Sequence, residues 1–369
     1  MTRVVHVVVA GEIGGAERML VDLASQPERT GAASTVAVLS PNEAVPDLFR
    51  AAGLRVVGKQ SPEGPLAFLW QAFGPSDAAW IAEVLRAERA EVAHLHTFAS
   101  QVVGTRAASM AGVPVLRTEH STRAFVDPSC WPFARWSLAR ATASVAVSRH
   151  VRSVALARAP WAAERMTVVP NGVDFVRFGP SIRAATGPLR LAIVGRLEPR
   201  KGVDMAIECV SRVPEVALDV VGDGPLRSSL QRLARARGAG DRVRFLGFVD
   251  DVRPAIAACH AVLCTSRTEG LGLALIEAMG LERPVLGFEV GGVAEIVDAE
   301  LANLLTPEGD IDALTASVRR ASTAPDRLAA LGTRARRVVT NRFSLEAMHE
   351  GYRRAYAGVV DGATLRQAR

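Results

Sequence analysis

Lysine is nearly missing from this chain. Of its 44 basic residues, only Lys59 and Lys201 are lysines. The rest are arginine, in a sequence that is also rich in alanine, so a lysine here is a residue to account for. Cysteine is scarce too: Cys130, Cys209, Cys259 and Cys264 are the four present, with no C-x-x-C pair and no histidine at zinc-ligand spacing. That excludes a disulfide framework and a zinc-finger type of site, and it reads as core thiols in a reducing compartment. No apolar run approaches the roughly 18–20 residues that span a bilayer. The opening MTRVVHVVVAGEIGGAE has one arginine, an apolar stretch interrupted by His6 and no small-residue cleavage site. It reads as a first strand rather than a signal peptide, and the expected location is cytoplasmic. Clustered base charge is missing as well. The net charge is +6, with 18 bases against 15 acids in residues 1–180 and 26 against 23 in the remainder. An excess this diffuse does not point to nucleic acid.

What is there is a globular composition, 49% hydrophobic and 22% charged over 369 residues, which suits two domains. Short valine-rich runs alternate with stretches of helical period. Strands are expected at 4–10, 35–39, 92–96, 113–118, 144–147 and 166–169, then at 189–194, 217–221, 242–246, 261–264 and 285–288. Helical spacing is seen at 16–24, 78–88, 226–237 and 275–280. Such alternation predicts α/β architecture with parallel sheets covered by helices. The plan strand, glycine loop, helix occurs at 4–24 and again at 189–210, about half the chain apart. Two doubly wound, Rossmann-like domains follow, 1–175 and 176–343, with a boundary near 170–174 and 180–188, where turn formers cluster. The stretch 343–357 has the pattern of an amphipathic helix with Tyr352 and Tyr356 on one face. It reads as packing, with the tail from about 344 to 369 returning to the first domain. A ligand is expected in a cleft at the carboxyl ends of both sheets.

The sharpest chemical segment is SRTEGLGLALIEAMG at 266–280. A strand meets a loop carrying Glu269, Gly270 and Gly272, and a helix follows. Its first amides, around Gly272 and Leu273, make an anion site. Glu277, one turn in, suits ribose hydroxyls or simply complements the helix N-terminus, and Glu269 suits the hydroxyls of a second polar group. In GRLEPRKG at 195–202, Arg196 and Lys201 follow a strand and suit a diphosphate, a solvated charged turn being the other reading. GEIGGA at 11–16 lacks the full dinucleotide fingerprint, and GDGP at 222–225 is an ordinary turn.

His94 and His96 share a strand face. No third ligand stands at useful spacing, so strand-end packing is preferred to a metal pair. His120 lies just past a strand's carboxyl end, and from position alone function and structure are equally open. Asp310 and Asp312 form Asp-x-Asp, but Asp310 reads as a helix N-cap. Trp131, Phe133, Arg135, Trp136, Leu138 and Arg140 lie close together. Core packing, an inter-lobe contact and a peripheral membrane contact all remain open for them.

These segments resemble the retaining GT-B glycosyltransferases of family 4. The motifs stand in order: GGAE at 14–17, HLH at 94–96, AVS at 146–148, NGVD at 171–174, GRLEPRKG at 195–202, VGDGPLR at 221–227, FLGFV at 245–249, the Glu269/Glu277 pair and GGVAEIV at 291–297. The resemblance implies a nucleotide-sugar donor whose diphosphate is neutralised by Arg196 and Lys201, with Gly15, Gly272 and Leu273 around it. Glu277 would bind the ribose. Glu269, Gly270 and Leu271 would surround the sugar, while Gly14 and the amides near Val249 would contact the nucleoside side. Leu271 stands where the family often has phenylalanine. His120 and Glu269 would be the catalytic residues, in a front-face transfer that keeps the anomeric configuration and requires no metal or other cofactor. UDP-sugars are the favoured donors and GDP-mannose the second, with a hexose or N-acetylhexosamine transferred. The expected acceptor is a glycan or lipid-linked hydroxyl in cell-surface polysaccharide or glycolipid synthesis, at the inner face of a membrane. A soluble small-molecule acceptor and a GT-B sugar-nucleotide epimerase are the alternatives.

Overall fold

The computed structural model describes residues 1–180 and 187–367, so most of the 180–188 boundary stretch lies outside the described residues. The chain divides into two compact units. One is Met1–Gly172 with the helix Leu345–Gln367; the other is Val173–Ser344.

The first unit holds β1 (Thr2–Val9), β2 (Ala32–Ser40), β3 (Arg55–Gln60), β4 (Val92–Leu95), β5 (Val115–Glu119), β6 (Ala143–Ala146) and β7 (Met166–Val168). All pair in parallel, in the order β3-β2-β1-β4-β5-β6-β7. β3 (RVVGKQ) was not expected from the sequence. It is an edge strand whose burial is only partial, so its apolar run is too short to stand out. Valines of β1 and β4 are buried on both sheet faces, as a covered parallel sheet requires. The helix Leu345–Gln367 supplies Met348, Tyr352, Tyr356 and Val359 to the cluster formed by Val4, Met19, Val92 and Val145. The two tyrosines are fully buried, with hydroxyls bonded to Thr118 Oγ1 and His94 Nδ1, each at 3.0 Å. That is the packing role expected of them.

The second unit repeats the plan with β8 (Arg190–Val194), β9 (Ala217–Val221), β10 (Val243–Gly247), β11 (Ala261–Cys264), β12 (Val285–Phe288) and β13 (Leu305–Thr306). Their order is β10-β9-β8-β11-β12-β13, again all parallel. β13 has two residues and left no pattern to read. In each sheet the strand order reverses once, at β1/β4 and at β8/β11. Crossovers leave the two central strands in opposite directions there and open a crevice at their carboxyl ends.

Smaller expectations resolve in the same frame. The four cysteines are free and buried. Burial pushes the Cys264 thiol up to about 11 and Cys259 to about 12, so they pack rather than react. Asp310 accepts from the amide of Ala313 at 2.8 Å as a helix N-cap, and Asp312 pairs with Arg212 at 2.6 Å. Lys59, which had no sequence context, pairs with the buried Asp77 at 2.7 Å.

Candidate active site

The loops after β8 and β11 emerge side by side at the second unit's switch point. Several bonds lock them together. The amide of Arg267 donates to Arg200 O at 2.7 Å, its guanidinium donates to Pro199 O at 2.6 Å, and Thr265 Oγ1 donates to Lys201 O at 3.4 Å. Gly202 lies in the left-handed region at φ 60°, where a Cβ would sit 2.0 Å from Thr265 O. Only glycine allows this approach.

The clamp brings Lys201 Nζ onto Glu269 Oε1 in a short ion pair, and Ser266 Oγ donates to the same carboxylate oxygen at 2.9 Å. Glu269 is buried, and the Lys201 side chain is 17% exposed. Both line a recess of about 40 Å³ with Ser266, Gly272, Leu273 and Ala274. Gly272 caps the helix Leu273–Gly280 from the left-handed region, and the first amides of a helix have no intrahelical acceptor. One cation, one carboxylate and a helix N-terminus therefore converge. Arg196 is exposed on the loop that carries Lys201, Glu277 is half-buried on the helix, and Leu271 is buried beneath the loop. Gly270 is half-buried. Val249 is half-buried after β10, beside the exposed Phe248.

Sequence reading missed three supports. Ser266 stands three residues before Glu269 within the quoted motif, but its bond needs the folded loop. Gly291 and Gly292 press on the backbone of 269–270, with Gly292 N donating to Glu269 O at 3.1 Å. The turn 222–225 braces the Arg196 loop, since Leu197 N donates to Asp223 O at 2.9 Å.

In the first unit, Gly14 and Gly15 are exposed in the turn after β1, and the Gly14 amide donates to Glu17 Oε2 at 2.9 Å. Glu17 is thus a structural cap. His120 follows β5, with its Nε2 buried and no hydrogen-bond partner. Burial lowers its pKa to about 4, so the ring is neutral at pH 7. It stacks on His96 with centroids 5.8 Å apart. The histidine pair gains a third member. The register sets His6 of β1 opposite His94, and His6 Nδ1 lies 3.0 Å from His96 Nε2. Ligand atoms of His6, His94 and His96 lie within 4.8 Å of one another. However, His6 Nε2 lies 3.1 Å from Ser34 Oγ, and His94 Nε2 lies 2.8 Å from Thr118 Oγ1. These bonds tie the three rings into a buried polar cluster, in which His96 Nδ1 has no hydrogen-bond partner. Beside it, Arg117 is wholly buried and pairs with Glu119 at 2.9 Å. Arg117 also donates to Ser137 Oγ and Gln101 Oε1.

Two Rossmann-ordered units in one chain, one of them carrying a cation–carboxylate recess at its switch point, define the GT-B class. Solved structures of that class match closely. The structure of Alr3699/HepE from Anabaena in complex with UDP and glucose has a TM-score of 0.83 at 23% identity, covering 95% of this chain and 98% of that one. Sucrose-phosphate synthase from Thermosynechococcus elongatus has a TM-score of 0.81 at 21% identity over the whole of both chains. Two family models match in succession: Glycosyltransferase Family 4 over residues 13–177 and Glycosyl transferases group 1 over residues 179–338. The chain belongs to this glycosyltransferase family. Among its relatives is the gpi3 component of phosphatidylinositol N-acetylglucosaminyltransferase from Schizosaccharomyces pombe, 29% identical over 54% of this chain and 46% of that protein. Another is 2-deoxystreptamine N-acetyl-D-glucosaminyltransferase of Streptomyces fradiae, 28% identical over 74% of both. The chain spans between 46% and 64% of the length of three such relatives.

Proposed function

We propose that this protein is a retaining glycosyltransferase that moves a hexose or N-acetylhexosamine from a nucleotide-diphosphate sugar, a UDP-sugar first and GDP-mannose second, to an acceptor hydroxyl. The observation that carries the reading is the joined pair of loops at β8/β11, with Lys201, Glu269 and the N-terminus of the helix Leu273–Gly280 lining one recess. Lys201 and Arg196 would take the diphosphate charge as the bond to the sugar breaks. Amides at Gly272 and Leu273 would hold its oxygens in a water-poor setting, where such dipoles are strongest. Glu277 would accept from the ribose and Glu269 from the sugar. The neutral imidazole of His120 is suited to hydrogen bonding with a sugar hydroxyl rather than to charge pairing. No step in this scheme calls on a metal. The relatives named above act on a phosphatidylinositol and on a 2-deoxystreptamine, so glycolipid and small-molecule acceptors both have support. We place this chain with the former, in cell-surface glycan or glycolipid synthesis on the cytoplasmic side.

A thermal-shift panel of nucleotide sugars tests the donor. A ligand at about 100 times its Kd adds roughly 2.7 kcal/mol, so the preferred donor stands out. Lys201→Ala and Glu277→Ala should each abolish that shift and the transfer. Unaltered binding and turnover in both variants would sink the assignment.

A further inference from the structure

The two charged groups of the recess are spent on each other. Lys201 Nζ and Ser266 Oγ both donate to Glu269 Oε1, and Glu269 Oε2 has no hydrogen-bond partner among the described residues. The backbone on each side is fixed. Lys201 runs along Gly195, where a Cβ would come within 3.1 Å of its Cε, and its amide donates to Glu198 O at 3.0 Å. Across the recess, a Cβ on Gly291 would lie 2.1 Å from Glu269 O. The space between measures about 40 Å³, room for a few waters and too little for a sugar. Admission of a larger group therefore falls to the outer torsions of these two side chains.

In the transferase reading, Lys201 meets the diphosphate and Glu269 meets the sugar, so both exchange partners when the donor enters. That exchange differs between a nucleotide sugar and the nucleotide left after transfer. A nucleotide sugar brings hydroxyl donors along with its phosphates. The Glu269 carboxylate trades the ammonium for hydroxyls and stays satisfied, although only 9% of its side chain is exposed. A free nucleoside diphosphate brings no such donors, and its distal phosphate ends in an ionised oxygen where the sugar was attached. If that phosphate takes Lys201, Glu269 keeps only Ser266 Oγ and faces an added anion. An enclosed carboxylate is costly to leave without its cation, and neighbouring like charges oppose each other's ionised forms.

We propose that Glu269 is a specificity-determining residue: it competes with the distal phosphate for Lys201 and so tilts the site from free nucleoside diphosphate toward nucleotide sugar. The inference rests on the transferase reading. Once transfer removes the sugar hydroxyls, the carboxylate returns to Lys201 and the spent nucleotide is displaced. A pair closed about nine-tenths of the time lowers the apparent affinity for the free nucleotide about tenfold.

The test is calorimetric titration of the full chain with UDP, UDP-glucose and UDP-N-acetylglucosamine, and with GDP and GDP-mannose. Glu269→Gln removes the charge at nearly constant shape. It should bind the nucleoside diphosphate about tenfold more tightly than wild type and the matching nucleotide sugar more weakly. A variant that merely loosens the loops weakens both, so the opposite signs identify the competition. Glu269→Asp keeps the charge on a shorter stem, which draws it away from Nζ, and should give a smaller gain for the nucleoside diphosphate. If Glu269→Gln binds the nucleoside diphosphate no more tightly than wild type, or the nucleotide sugar no more weakly, the proposal is overturned and the transferase reading stands. A gain in Glu269→Gln with none in Glu269→Asp overturns it in favour of repulsion at a distance. Failure of the wild type to bind any of these ligands removes the transferase reading itself, and this proposal with it.

Discussion

Replacing Lys201 with methionine keeps the length of the side chain and removes its charge. Glu269 then loses its ion-pair partner and keeps only Ser266 Oγ, while its side chain stays 9% exposed. Removing one member of a fully buried pair costs about 3–5 kcal/mol. The Lys201 side chain is 17% exposed, so the pair is not fully desolvated and about 2 kcal/mol is expected. The second unit spans 172 residues, Val173–Ser344. At that size about 2 kcal/mol corresponds to a fall of roughly 4–8 °C in Tm. The readout can be assigned, because all five tryptophans lie in the first unit. Tryptophan emission follows that unit alone, while calorimetry sees both. The fall should appear in the calorimetric transition and not in the fluorescence one. Glu269→Gln on the Lys201→Met background should recover part of the loss, with a coupling of about 1 kcal/mol or more. A Lys201→Met protein that melts within about 1 °C of wild type, or a cycle with no coupling, would refute the claim that the pair organises the two loops.

Two further outcomes follow from the geometry. Gly202→Ala puts a Cβ 2.0 Å from Thr265 O at a left-handed backbone position. It should cost more than about 2 kcal/mol by forcing the loops apart, and nucleotide binding should fall with it; a neutral Tm in calorimetry would count against the clamp. Acid should destabilise the first unit early. Burial lowers His6 to about 3 and His120 to about 4, and it lowers His94 and His96 as well. The unfolded chain takes up protons below about pH 6.5 that the folded unit refuses. Stability contributed by these neutral rings is therefore present above pH 6.5 and lost as pH falls toward 4, at up to about 1.4 kcal/mol per pH unit per ring. A fluorescence Tm that stays flat from pH 7 to pH 5 would contradict this.

Much of the fold was legible because its signals are local. Buried parallel strands are unbroken valine-rich runs, so the central strands of both sheets stood out. The edge strands β3 and β13 did not, since one is half-buried and the other has two residues. The candidate site was legible where glycines, charges and a helix start lie within one stretch, as at 195–202 and 266–280. Its supports were not. Ser266 acts within its own loop, but its bond to Glu269 needs that loop folded; Arg267 and Gly291–Gly292 act across loops far apart in the chain, and no spacing rule ties position 200 to 267 or 269 to 292.

The sequence by itself determined the α/β class, the duplicated plan and the placing of Lys201 and Glu269 in glycine loops after strands. Periodicity and turn chemistry depend on near neighbours, and they survive in the order of residues. Tertiary structure alone decided that Lys201 meets Glu269, that His6 completes a histidine cluster through the β1–β4 register, and that Leu66, Leu69, Trp70 and Phe73 face water. The reason is physical: ion pairs, strand register and exposure are set by what packs against a residue, and an apolar helix stripe reads the same whether it meets the core or solvent.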